Sequence, residues 1–122
     1  MTALLVFAAE PSTLRGKLVQ PEGKPPAIET GGGQTVALDG DKDTMGVLKD
    51  KRLAAADLEL KGHREADHFV VDAIHTKAMH VHRDGKRLAI TYWCDTCAIR
   101  TFTPGICWCC QEETNLDLRE EK

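Results

Sequence analysis

The chain has few aromatic residues, no long apolar run and no cysteine before position 94. Of its 122 residues, one is tyrosine, two are tryptophan and three are phenylalanine. A core must therefore be built mostly from aliphatic side chains. Nothing approaches the roughly 18 to 20 apolar residues that a membrane span needs, so no membrane span is expected. Charge of neither sign dominates: 16 Lys and Arg stand against 19 Asp and Glu, with a net charge of −3 and a pI near 5.9. No basic stripe stands out, and a nucleic-acid partner is not expected. No G-x-S-x-G, P-loop or G-x-G-x-x-G is present. The run GGGQT (31–35) lacks the lysine and the following helix of a phosphate loop and reads as a turn. The run DGDKD (39–43) begins like a calcium loop but lacks the glycine at its sixth position and the glutamate at its twelfth.

The length corresponds to one domain, with room for a small appendage. MTALLVFAAEPS opens the chain as a short apolar run with small residues near Val6-Phe7-Ala8, where a signal-peptide cleavage site has them, but without a basic segment before it. Residues 1–12 therefore read in one of two ways. They are a signal-peptide remnant, implying a periplasmic or secreted protein, or an arm or first strand of a cytoplasmic one.

From residue 13 the pattern is short strands with turn signals between them. TLRGKLVQ (13–20) reads as a strand and PEGKPP (21–26) as a loop, because prolines remove backbone donors. Residues 27–41 read as two short strands around the glycines, with Val36 and Leu38 on one face. The stretch 44–60 is ambiguous, with a turn or two of helix around Met45, Leu48 and Leu53. Strands are predicted over 57–63 and 68–76. Asp84-Gly85 between two alternating runs signals a type I′ hairpin over 78–93. Pairing outward from it sets His82 against Arg87, Val81 against Leu88 and Met79 against Ile90. Met79, Val81, Leu88, Ile90 and Tyr92 then share the core face; His80, His82, Arg87, Ala89 and Trp93 share a face read as solvated. The fold class expected is mainly β: an OB-like or rolled barrel over 13–91, then a Cys-rich segment over 92–122. The strand order over 13–76 resembles small OB-like barrels.

All five cysteines lie between positions 94 and 110. Cys94 and Cys97 form one C-x2-C, Cys107 and Cys110 a second, and Cys109 sits inside the latter. Two cysteines three apart on a tight turn aim both sulfurs at one point, and two such turns facing each other make a tetrahedral cage. An odd count leaves a disulfide framework with one thiol over. A thioredoxin-like redox pair wants a βαβ unit, and none is visible. C-x-x-C-H is absent, which disfavours a c-type haem.

The stretch Tyr92 to Gln111 resembles zinc-ribbon and rubredoxin-like modules. It departs from them where Ala98 and Gln111 replace the glycine that usually follows each pair, and in the extra Cys109. Together with the N-terminal run, the block YWCDTC…TPGICWCCQ also resembles small exported bacterial proteins. The expected metal ligands are Cys94, Cys97, Cys107 and Cys110. Cys109 is an alternative to Cys107 or Cys110, and His75 is a further candidate if the hairpin pairing runs on to set it opposite Cys94. His80 and His82, two apart on one face, are weaker candidates. Zinc is the expected metal, with iron or copper as alternatives. A closed four-cysteine site has no open position for water and would be structural. The function expected is a non-enzymatic binding or accessory module with a protein partner. The alternatives are a rubredoxin-like electron carrier with iron and a copper- or zinc-handling protein.

Overall fold

Apolar side chains, mostly aliphatic, facing the core make the first five strands. The structure, a computed structural model, describes residues 12–120. The apolar opening run, read above as a signal-peptide remnant or an arm, falls almost entirely outside the described residues. Strand β1 (Ser12–Val19) buries Leu14 and Leu18, β2 (Ala27–Glu29) buries Ile28, and β3 (Thr35–Asp39) buries Val36 and Leu38. Strand β4 (Asp57–Glu65) buries Leu58 and Leu60, and β5 (His68–Val71) buries Phe69 and Val71. The strands pair in the order β1-β2-β3-β5-β4, and β4 pairs again with β1, closing a five-stranded barrel. All its ladders are antiparallel except β3 on β5.

Two glycines make the closure possible. A Cβ on Gly62 in β4 would overlap the carbonyl of Val70, and one on Gly16 in β1 would overlap the carbonyl of Glu29. Such close backbone approach is where a small barrel needs glycine.

Between β3 and β4 the ambiguous stretch resolves into helix α1 (Lys42–Leu48), a 3-10 turn at Lys51–Leu53, and the start of β4. Asp41 caps α1 by accepting from the backbone N–H of Thr44 at 2.8 Å. The DGDKD run thus begins a helix. Val47, Leu48 and Leu53 join the core.

The same sheet continues beyond the barrel from β4. Beyond β5, a helical turn α2 (His75–Ala78) leads into β6 (Met79–Arg83), which pairs with β4 and with β7 (Lys86–Cys94). The hairpin register is the one predicted, His82 on Arg87 and Val81 on Leu88. Asp84 and Gly85 both have positive φ, 55° and 76°, as a type I′ turn requires. Strands β8 (Ile99–Thr101) and β9 (Asn115–Glu120) both pair with β7. Tyr92 and Ile90 belong to the same hydrophobic cluster as the barrel residues, with Leu116 and Leu118 packed against it.

Two sequence expectations need correction here. Strand β5 stops at Val71 rather than reaching 76, because the chain turns into α2. The second hairpin face is polar but closed to solvent in part: His80 is only 2% exposed, and strands flank it on both sides. On that face His82 Nε2 meets Glu59 Oε1 at 2.7 Å and Arg87 Nε donates to the same oxygen at 3.2 Å. The His82 hydrogen bond, then Arg87, holds the Glu59 carboxyl below its usual range.

Candidate metal centre

Two β-hairpins carry the cysteines, and their tips have the same backbone. The first runs from β7 into β8, where Cys94 pairs with Ile99. The second is closed by the Thr114 N–H on Gly105 O (3.0 Å), a bridge of Ile106 to Glu113, and the Cys107 N–H on Glu112 O (2.8 Å). At the first tip the Ala98 N–H donates to Cys94 O at 2.8 Å; at the second the Gln111 N–H donates to Cys107 O at 2.7 Å. Ala98 and Gln111 both lie in the left-handed region, at φ 54° and 64°. These are the positions where glycine was missed in the sequence. The residue type departs from the knuckle pattern, but the backbone conformation keeps it.

Such turns aim amides at sulfur. The Cys97 N–H reaches Cys94 Sγ at 3.4 Å. Backbone N–H groups of Cys110 and then Cys109 face the Cys107 sulfur and bring that thiol down to about 7. Amides placed in this way favour a thiolate, the form that binds a metal.

The four sulfurs converge. The Sγ atoms of Cys94, Cys97, Cys107 and Cys110 all lie within 4.8 Å of one another, and Cys94 and Cys110 are 3.4 Å apart. Four sulfurs each about 2.3 Å from a common centre would form a tetrahedron with edges of about 3.8 Å. The observed spacings bracket that edge. Cys94 and Cys107 are buried and Cys97 and Cys110 half-buried, and all five cysteines are free thiols. The donor set and its spacing suit one metal ion, and this is the group among the described residues that could hold one.

The other sequence candidates stand elsewhere. Cys109 is exposed and is not one of the four convergent sulfurs, although its thiol hydrogen-bonds that of Cys97 and is the largest cause pushing the latter up. His75 does not continue the hairpin opposite Cys94. It lies in α2, and its Nε2 donates to the Phe102 carbonyl at 2.7 Å. His80 and His82 sit on β6 with Glu59 and Arg87 around them, outside the four-sulfur group.

Residues that no motif pointed to hold the knuckles against the rest. Arg52, fixed by Asp50 at 2.9 Å and lying over the Tyr92 ring, donates from Nη1 to the Thr114 carbonyl at 2.8 Å. Arg100 donates from Nη1 to Thr91 Oγ1 and to Asp117 Oδ2, joining β8 to β7 and β9, and lies over the Trp93 ring. Compared with protein-family models, curated proteins and solved structures, the chain matches none.

The two left-handed residues carry a test of the knuckle backbone. Ala98→Gly and Gln111→Gly should each raise stability by a few tenths to about 1 kcal/mol, since glycine adopts positive φ without the Cβ penalty. Ala98→Val should lower it, because a branched Cβ is least tolerated there. Denaturant unfolding of the metal-loaded variants reads both signs.

Proposed function

We propose that the chain is a small structural-zinc protein, in which a zinc-ribbon-like pair of knuckles is tied to an OB-like barrel and serves as a non-enzymatic binding or accessory module. The convergence of four cysteine sulfurs within 4.8 Å carries this reading. Zinc suits four thiolates, and with all four positions filled by protein there is no open one for water or substrate. The strand order β1-β2-β3-β5-β4-β1, with β3 parallel to β5 and a helix between β3 and β4, supports the OB-like assignment.

A binding role has its own support. The large apolar side chains exposed among the described residues are Ile74, Phe102, Ile106 and Trp108. Three lie in the knuckle segment, and Ile74 precedes the histidine bound to Phe102 O. The barrel shows none, so a protein partner would meet the knuckle end.

Spectroscopy of the metal-loaded protein separates the three metals. Colourless protein whose metal resists chelators, and which gives a tetrahedral thiolate spectrum on cobalt substitution, is the expected outcome. A red protein with a reversible one-electron couple would replace this reading with a rubredoxin-like carrier. More than one metal per chain, exchanged freely with chelators, would replace it with metal handling.

A further inference from the structure

The chain carries more acid than base, yet three exposed lysines line one cavity in which Glu22 is the one carboxylate. The cavity measures about 490 Å3 and lies between the β1–β2 loop and the segment that follows α1. Lys24 reaches it from the loop, and Lys49 and Lys51 from the far side. Among the described residues none of the three has a carboxylate within ion-pair distance, although other lysines do: Lys17 pairs with Glu29 and Lys86 with Glu120. Even Glu22, which lines the same cavity, pairs with none of them.

The ammonium groups are not used up in capping the helix. The last carbonyl of α1 and one just beyond it are already satisfied by another side chain: Gln20 Nε2 donates to Leu48 O at 2.9 Å and to Asp50 O at 2.8 Å. These two hydrogen bonds also fix Gln20, which lines the cavity. Pro21, Pro26 and Ala54 supply apolar walls. Walls of low polarity beside like charges focus the field and strengthen attraction for an anion.

We infer that this cavity, formed by Lys24, Lys49 and Lys51 around Gln20, binds a small phosphate-bearing anion. A lysine ammonium is a point charge suited to phosphate oxygens, and the cavity volume is in the range of small-ligand sites. The site is separate from the four cysteines and does not depend on which metal they hold.

Inorganic pyrophosphate is the probe, titrated by calorimetry into the metal-loaded full chain at low and at physiological salt. Saturable binding at one site per chain is expected. Lys49→Gln with Lys51→Gln should weaken it by about tenfold or more, since each replacement removes a charged hydrogen-bond donor. Lys42→Gln with Lys61→Gln removes the same net charge from outside the cavity and should leave binding within about twofold. No saturable binding would overturn the inference, and so would equal weakening by both pairs. Tighter binding of a single-stranded oligonucleotide through the same lysines would overturn it in favour of a nucleic-acid surface.

Discussion

Cys107→Ser is expected to abolish metal binding and to lower the unfolding midpoint by more than about 10 °C, while Cys109→Ser changes neither. The reason lies in what the knuckle segment lacks. Between Cys94 and Thr114 the buried residues are few, namely the two cysteines and the threonine that closes the second hairpin. Of its large apolar side chains, Phe102, Ile106 and Trp108 are exposed and Ile99 is half-buried. On the reading proposed above, the metal holds a segment with no core of its own, and its binding energy is folding energy. Cys107 is buried, and backbone amides are aimed at its sulfur. Serine offers a shorter, harder donor that is not ionised at neutral pH. Hydrogen exchange should then show residues 94–114 losing protection while β1 to β5 retain theirs. Cys109 is exposed and outside the four, so its serine variant serves as the control. Full metal content in Cys107→Ser would show that the four sulfurs do not act as one site.

Phe69→Ala should cost about 3 to 5 kcal/mol. Phe69 is 1% exposed and is the aromatic side chain of the barrel core among the described residues. With so few aromatics, no neighbour of similar bulk can move in. The ring also stands over Gly62, where the close approach of the Val70 backbone forbids a side chain. The ring fills the space that the glycine leaves, so truncation opens a cavity lined by two strands that cannot collapse further. A loss of this size is a large share of the roughly 5 to 15 kcal/mol that holds a domain together. Denaturant unfolding of the metal-loaded variant measures it. A cost below about 1 kcal/mol would mean that the barrel interior is loosely packed there.

The parts of the fold that were legible in the sequence are the local ones. The hairpin turn and its register follow from Asp84-Gly85 and the alternation on either side. The sulfur cluster follows from two C-x2-C spacings. The parallel pairing of β3 with β5 was not legible, because no local signal encodes a contact between strands separated by a helix and by β4. His75 was misplaced for a related reason. Extending the hairpin pairing assumes that the strand continues, but the chain turns at α2 and hands the ring to Phe102. His80 looked solvated because its face alternates with apolar residues, a pattern that does not tell which neighbouring side chains close over that face. The knuckle geometry was hidden at Ala98 and Gln111. Both take a conformation normally signalled by glycine, held there by the hydrogen bonds to Cys94 O and Cys107 O. Arg52 and Arg100, which tie the knuckles down, carry no motif; the contacts that do so, Arg52 to Thr114 and Arg100 to Asp117, reach across 62 and 17 positions.

The most direct measurement is the metal content of untagged protein purified without added metal, by elemental mass spectrometry, with a thiol count on the same sample. The account predicts one zinc per chain, four thiols protected until the metal is removed, and one, Cys109, reactive throughout. Metal-free protein with the four cysteines oxidised in pairs would contradict it and make the cluster a disulfide staple instead.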